Sequence, residues 1–394
     1  MKIVFTTHTY WPRKDGVQYV TQYLAEGLAK QGHKVIVFTP QNTSNETIFE
    51  IHNEVCVIRP FFAQKYTIYW GKNESYKELL LRECEDANCL INCAVQSPFN
   101  NFVLPLLKVI PCGKILYLHG VYDYGFPKNL RLKAIIKKIL LNIRWYLFYH
   151  RNAKRFSNYD LMINITNDNL NDTFFTKLGV EVETRIVNNA VEDFSSVYAS
   201  DELYVKYPFL DQRFFLDVAN FNERKNQIML IKAFDKYQNE THSDIQLVLV
   251  GGTVGNDGKA YVEECKALIS DLESKDQIYI LENLSRDDTR VIIKKSYCAT
   301  MTSTYEVYPI FLAEALTCAH PFISTNVGSV SEMKGGLIVE TVHDFAEKMK
   351  IIDEDKELYN SLSCIGKKFA EKNFSQEEKI SELERMIRNL KSNN

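Results

Sequence analysis

Two glutamates, Glu306 and Glu314, are the residues of this sequence whose type and setting first suggest chemistry. Glu306 follows a predicted strand, Ala299–Thr302, and Glu314 lies about one turn into a predicted helix, Ile310–Cys318. A carboxylate suits vicinal hydroxyls, because each of its oxygens accepts from one O–H. The start of a helix beside it offers unpaired backbone N–H groups to an anion such as a phosphate. By spacing alone, two solvated glutamates on a loop and an amphipathic helix are the simpler reading. What weighs against it is the set of elements that must position them.

Those elements form two runs of strand–helix alternation. In the first, Ile3–Thr7 is a buried-strand pattern and Thr9–Gly16 a loop. Val17–Gln31 is a helical pattern with Val20, Tyr23, Leu24 and Leu28 on one face. Gly32 supplies its stop and Lys34–Phe38 the next strand, a β-loop-α-β unit that implies a parallel sheet. Further strands are predicted at Cys56–Ile58, Cys89–Ala94, Ile115–His119, Leu161–Ile165 and Thr184–Val187. The second run has strands at Phe214–Ala219, Ile245–Gly251, Ile278–Leu281, Ala299–Thr302 and Pro321–Thr325. Between them come helices at Asn226–Tyr237, Lys259–Leu272, Arg286–Lys295 and Ile310–Cys318, and a charged helical tail spans Ser375–Leu390.

The expected division is 1–195, 196–374 and the tail 375–394, the tail packing back toward the first domain. Doubly wound sheets bind ligands at loops beyond the carboxyl ends of their strands, so two such sheets predict a site in a cleft between them.

With 394 residues, 45% hydrophobic and 25% charged, the chain suffices for two packed domains and is not disordered by composition. The cysteines show no paired metal spacing and are expected to be reduced, mostly buried thiols, with no metal bound. Met1-Lys2-Ile3-Val4-Phe5 runs straight into a strand pattern without a signal peptide, so a cytoplasmic protein is expected. Residues 1–195 carry 23 Lys+Arg against 18 Asp+Glu, and the remainder 24 against 32. The front half therefore suits an anionic partner.

The motifs resemble a known family. Ser303-x-x-Glu306 followed by Glu314-Ala315, then Pro321–Ser329 and Gly335–Val339, resembles the donor site of retaining GT-B glycosyltransferases, most closely those of family four. The likeness extends over nearly the whole chain. His8–Val17 resembles the family's N-terminal loop, Gly32-His33-Lys34-Val35 its "GH-x-V" step, and His119-Gly120 the place of an active-site histidine after a strand. Asn188–Glu192 resembles the strand end before the hinge, Ala219–Asn226 the loop ending in Lys-Asn, and Val250-Gly251-Gly252 a glycine turn.

The resemblance implies an α/β GT-B fold, two Rossmann-like domains facing a central cleft, the first binding acceptor and the second the nucleotide-sugar donor. It implies that Glu314 holds the donor ribose, Glu306 lies near the transferred sugar and diphosphate, and Lys225 balances the diphosphate charge without a metal. His119 would line the reaction centre, Gly16 would let backbone approach the phosphates, and Gly251 and Gly252 would shape the nucleotide loop. Asn220, Arg224, Ser303, Tyr308, Pro309 and Ile310 complete the implied donor set. From the residues alone, Lys225 also reads as a solvated helix-start lysine, His119 as a core histidine, Asn189 as an Asx turn and the glycines as turns. Three positions depart from the family pattern: Asn220 replaces an arginine, Val307 a glycine, and Asp15-Gly16 a glycine pair.

Between Tyr124 and Tyr159 there is no carboxylate, while nine cations occur: Lys128, Arg131, Lys133, Lys137, Lys138, Arg144, Arg151, Lys154 and Arg155. Apolar residues from Leu130 to Phe148 interleave with them. Two readings stay open: core-packed helices with a solvated basic face, or an interfacial amphipathic helix docking 126–155 on an anionic membrane surface to reach a lipid-linked acceptor. No nucleic-acid motif accompanies the basic run. The expected activity is transfer of a hexose-type sugar from a UDP- or GDP-sugar to a saccharide or lipid-linked saccharide, in bacterial surface polysaccharide or lipopolysaccharide synthesis, with no other cofactor. Alternatives are an inactive nucleotide-sugar-binding partner subunit or a nucleotide-sugar 2-epimerase.

Overall fold

The computed structural model describes residues 1–390 except 14, 42–47, 66–67, 127–131, 167–169, 193, 195–196, 199 and 254. The chain divides into two compact units, Met1–Asn189 with Gln376–Asn394, and Ala190–Ser375.

The first unit runs β1 (Lys2–Thr6), α1 (Gly16–Lys30), β2 (Lys34–Phe38), β3 (Phe49–His52), β4 (Val55–Ile58), β5 (Gln64–Lys65), β6 (Ile68–Tyr69) and α2 (Glu74–Cys84). It continues through β7 (Cys89–Cys93), α3 (Pro98–Asn101), β8 (Gly113–Leu118), α4 (Leu132–Phe156), β9 (Leu161–Asn164), α5 (Leu170–Lys177) and β10 (Thr184–Ile186). Its eight-stranded sheet has the order β10-β9-β8-β7-β1-β2-β4-β3, parallel except where β3 pairs antiparallel with β4 at the edge. β1, β7 and β8 are buried along their whole length, as central parallel strands covered on both faces must be. Asp15 caps α1, its carboxylate accepting from Gln18 N–H at 2.8 Å. Gly32 ends the helix at a positive φ of 84°.

The second unit contains α6 (Asp201–Lys206), β11 (Phe214–Val218), α7 (Gln227–Thr241), β12 (Gln246–Gly251), α8 (Gly255–Ser270), β13 (Ile278–Glu282) and α9 (Arg286–Lys295). After these come β14 (Cys298–Met301), α10 (Ile310–Thr317), β15 (Phe322–Thr325), β16 (Gly336–Val339), α11 (Val342–Glu354) and α12 (Lys356–Asn373). The sheet is all parallel, in the order β13-β12-β11-β14-β15-β16.

The strands and helices named from the sequence in both runs are present, within a residue or two at their ends except that α7 runs four residues further and α8 begins four residues earlier than expected. Several elements were not foreseen: α2, the β5–β6 hairpin, the edge strand β3, β16, α11 and α12. The tail helix, α13 (Gln376–Asn389), belongs to the first unit. It buries Ile380, Leu383 and Ile387, and His33 Nε2 meets Glu384 Oε1 at 2.8 Å. Ile380 packs onto α1 where Gly27 has no side chain.

α4 has a core face and an exposed face. Its inward face is core: Trp145, Tyr149 and Phe156 are buried among the aromatics of the first unit. Its outward face carries Ile136, Ile139, Leu140, Ile143, Tyr146 and Leu147, each 42–62% exposed. Lys137, Arg151, Lys154 and Arg155 are exposed on the same helix. The outer surface is therefore apolar as well as basic. Lys128, Leu130 and Arg131 of that stretch lie outside the described residues, as do the side chains of Leu132 and Lys133.

Gly335 shows how tightly the second unit closes. It has a φ of 96°, and a Cβ there would lie 2.4 Å from Gly366 Cα on α12. Gly335→Ala is expected to cost about 2–3 kcal/mol, combining backbone strain with a backbone clash. Urea denaturation of the two proteins measures it.

Candidate functional site

In the second unit the residues singled out from the sequence gather on loops that leave the carboxyl ends of β11, β12 and β14. Hydrogen bonds from Thr302 and Thr304 bring two of these loops together. Thr304 N–H donates to the Arg224 carbonyl at 2.8 Å, and the Thr302 hydroxyl reaches the carbonyls of Lys225 and Asn226 at 3.1 and 2.9 Å. Asn226 turns in the left-handed region (φ 54°) just ahead of α7. The loop before α7 and the loop after β14 are thereby tied along their backbones.

That tie places the Lys225 ammonium on the Glu306 carboxylate as an ion pair. The Ser303 hydroxyl donates to the same Glu306 oxygen at 3.0 Å, and the Ser303 carbonyl takes the Thr325 hydroxyl at 2.7 Å. From the other side Gly328 closes on the loop: a Cβ there would lie 2.5 Å from the Glu306 carbonyl. Ser329 N–H donates to the Val307 carbonyl at 3.2 Å. Val307 itself stays out of the left-handed region. The positive φ and close backbone approach of this loop pair are supplied by Gly328, so a valine fits at 307.

Gly251 plays a comparable part between β11 and β12. An added Cβ would sit 2.0 Å from the Ala219 carbonyl, and Ala219 N–H donates to Val250 at 2.9 Å. Asn220 is exposed, and its side-chain oxygen accepts from Gly252 N–H at 3.3 Å. It braces the glycine turn and brings no charge. The Arg224 side chain is exposed on the neighbouring loop.

Glu314 sits on α10, which begins at Ile310 after Pro309 without a side-chain cap. Tyr308, just before it, is buried with its ring edge-on to Phe374 at 6.3 Å. Glu314 is only 2% exposed, and burial pushes its carboxyl above the usual range while Arg286 opposes the shift. The two form an ion pair. Arg286, the first residue of α9, lies over the Phe194 ring at 5.6 Å, and Arg290 one turn on pairs with Glu192 and Asp287. Sequence reasoning missed both arginines. Their signal was an arginine at each of the first and fifth positions of a helix opened by Ser285.

A second omission is Asp217, a lone acid in the otherwise apolar strand Phe214–Val218. It is buried, and its carboxyl is pushed up to about 7 by burial, with Glu306 adding to the shift and Lys225 opposing it.

In the first unit His119 ends the run of β8, followed by Gly120 at a φ of 119°. Burial pushes its imidazole down to about 3, and the neighbouring His8 adds to the shift while Asp15 opposes it. His8 is lowered as well, again chiefly by burial. Both rings are thus neutral at physiological pH. Buried ring nitrogens, His119 Nε2 and His8 Nδ1, have no hydrogen-bond partner among the described residues. Gly16, exposed, is the first residue of α1 beside its cap Asp15. His8 was not singled out from the sequence as a site residue. Among the described residues no group of three His, Cys, Asp or Glu side chains is placed to hold a metal ion.

Residues 201–369 match the family model for glycosyl transferases group 1. That stretch runs from α6 into α12 of the second unit. The chain is 21% identical over 350 residues to an alpha-1,3/1,6-mannosyltransferase, ALG2, of Saccharomyces cerevisiae, covering 80% of this chain and 68% of that one. A glycosyltransferase of Rickettsia africae superposes with a TM-score of 0.76 at 15% identity, covering 100% of this chain and 99% of that one. The Anabaena protein HepE, solved with UDP-glucose, superposes with a TM-score of 0.72 at 14% identity, covering 99% and 100%. The fold is that of GT-B glycosyltransferases, with two Rossmann-like domains. Within the matched stretch Glu306, Lys225 and Ser303 occupy loops at strand ends, where parallel sheets present their ligands, and Glu314 lies on the helix that follows.

Arg286→Ala would leave Glu314 a buried, unpaired carboxylate. A loss of about 2–3 kcal/mol at pH 7.5 is expected, after allowing for the partial exposure of Arg286. The Glu314 carboxyl would then be raised further in the folded state, and a raised acid loses stability as pH climbs above its unfolded value. The deficit should therefore shrink at pH 5, as urea denaturation at the two pH values would show.

Proposed function

We propose that this chain is a retaining, metal-independent glycosyltransferase that moves a hexose-type sugar from a UDP- or GDP-linked donor to a saccharide or lipid-linked saccharide. The observation that carries the reading is the cluster at the carboxyl ends of the second unit's sheet: Lys225 on Glu306 and Ser303, with buried Glu314 on the next helix. The UDP-glucose bound by the Anabaena protein and the mannosyl transfer of the yeast relative support the substrate class. A role in bacterial surface polysaccharide synthesis belongs to the same reading and rests on the motif resemblance.

In this proposal Glu314 accepts the ribose hydroxyls, and the Lys225 ammonium and the N–H groups opening α10 take the diphosphate. Glu306 lies by the sugar. The anomeric carbon–oxygen bond breaks toward the diphosphate, the acceptor hydroxyl bonds to the same face, and its proton passes to the leaving phosphate oxygen. Negative charge develops on that phosphate, so a fixed cation and fixed N–H donors favour the transition state. His119, neutral at working pH, acts as a hydrogen-bonding group rather than a cation.

A second reading, donor binding without turnover, is favoured by Asn220, whose side chain is spent on Gly252 N–H. Incubation with a panel of UDP- and GDP-sugars and lipid-linked acceptors separates the two: nucleotide release with a glycosylated product supports the transferase, and binding without release supports the inactive partner. Glu314→Ala is expected to abolish the thermal shift given by the donor, a loss of at least tenfold in affinity, while the chain stays folded. Unchanged affinity would refute the ribose role.

We also propose that α4 lies on an anionic membrane surface. Its outward stripe supplies apolar area to the acyl boundary, and the cations beside it meet the headgroups at about 1 kcal/mol each. No helix among the described residues is long and apolar enough to cross a membrane. Flotation with phosphatidylglycerol vesicles should exceed that with phosphatidylcholine vesicles at least fivefold. Replacing Ile136, Leu140, Ile143 and Leu147 by serine, all on the exposed face, should abolish it. Binding indifferent to lipid charge would sink the proposal.

A further inference from the structure

β11 is flanked by β12 and β14, which puts its side chains in the dry middle of the second unit. Phe214, Phe215 and Leu216 suit that place; Asp217, 3% exposed, does not. Side chains alternate along a strand, so Asp217 shares a face with Phe215. Phe215 packs against Tyr237 of α7 with ring centroids 5.7 Å apart. Asp217 therefore lies on the α7 side of the sheet, toward the opening of that helix.

The groups that act on it come from three elements. Lys225 precedes α7 and lowers its proton affinity, and Glu306 follows β14 and raises it. Gln227, the first residue of α7, is fully buried, and its side chain hydrogen-bonds the Asp217 carboxylate and lowers its proton affinity. On α8, Tyr261 and Cys265 are pushed further toward their neutral forms by Asp217. Lys225 is thus the cation among these groups, and two carboxyls share it.

We propose that Asp217 is a further functional residue of the donor site, a positioning carboxyl that must carry a proton before Lys225 can serve the diphosphate. The proposal rests on the reading of Lys225 as the diphosphate's partner. With Asp217 protonated, Lys225 and Glu306 form a neutral pair, and the incoming anion meets no excess negative charge. With Asp217 ionised, one lysine faces two carboxylates, and a diphosphate adds to the repulsion. Donor binding then takes up one proton from solvent. Because burial holds the Asp217 carboxyl up to about 7, this uptake falls in the physiological range.

The test uses the full chain with UDP-glucose and GDP-mannose as probes, whose diester diphosphates do not titrate between pH 6 and 8. For wild type, the dissociation constant is expected to be about tenfold weaker at pH 8 than at pH 6, the loss that follows when a group titrating near 7 must be protonated. Asp217→Asn keeps the shape of the side chain and cannot ionise. Its affinity should match wild type at pH 6 and change less than twofold by pH 8, which a purely structural role would not produce.

A donor-free readout checks the buried carboxyl itself. An acid whose folded-state affinity for protons is raised loses stability as pH rises from its unfolded value to its folded one, and flattens above. The melting temperature of Asp217→Asn relative to wild type should therefore climb between pH 5 and 7.5. A flat wild-type binding profile, or one whose slope survives in Asp217→Asn, overturns the proposal. If Lys225→Ala binds as wild type does, the underlying reading of Lys225 fails and the proposal with it. If Lys225→Ala weakens binding while the wild-type profile is flat, only the role of Asp217 fails. Failure of both probes to bind at either pH overturns the donor-site reading and the proposal together.

Discussion

Putting carboxylates into the dry end of a parallel sheet is the constraint on which the second unit turns. A buried charge is costly unless it is paired or given up, and this unit uses both remedies. Glu314 is paired with Arg286. Glu306 is paired with Lys225 and accepts from the Ser303 hydroxyl. Asp217, deeper in the strand, is held toward its protonated form. Under the proposed function, the same groups that relieve these costs would engage a polyol and a diphosphate, and folding and ligand recognition would draw on one set of charges.

Such pairs exist only if the backbone brings their loops together, and small residues do much of that. Gly251 lets the exits of β11 and β12 approach, and Gly328 lets the segment after β15 close on the Glu306–Val307 carbonyls. Thr302 and Thr304 then bridge to the carbonyls of residues 224–226. Val307, unusual for the family pattern, stays out of the left-handed region, and the positive φ beside this loop falls at Gly328. Asn220 loses the charge of the expected arginine but gains a structural bond to Gly252.

α4 follows a different logic. A helix that packs on a sheet usually shows water its polar side, and this one shows water an apolar stripe with cations beside it. Hydrophobic periodicity along the stretch could not separate the two faces, because both are apolar. Only the packing of Trp145, Tyr149 and Phe156 says which side is core.

The alternation of strand and helix, the all-parallel sheet of the second unit and the motif around Glu306 were legible in the sequence, because buried parallel strands write continuous apolar runs and helices write a 3.6-residue period. The elements that escaped were short or amphipathic without marked stops: β3 and the β5–β6 hairpin are exposed edge pieces, and α11 and α12 carry many charges. In the candidate site, the resemblance of their motifs to the family's donor site singled out Glu306, Glu314 and Lys225. Residue type could not mark Arg286, Asp217 or His8, since an arginine on a helix, an acid in a strand and a histidine in a loop are ordinary in isolation. Their character comes from burial and from partners distant in the chain. Sequence sets which groups can hold a charge or a proton; tertiary structure decides which of them do, because desolvation and pairing depend on what surrounds each group in space.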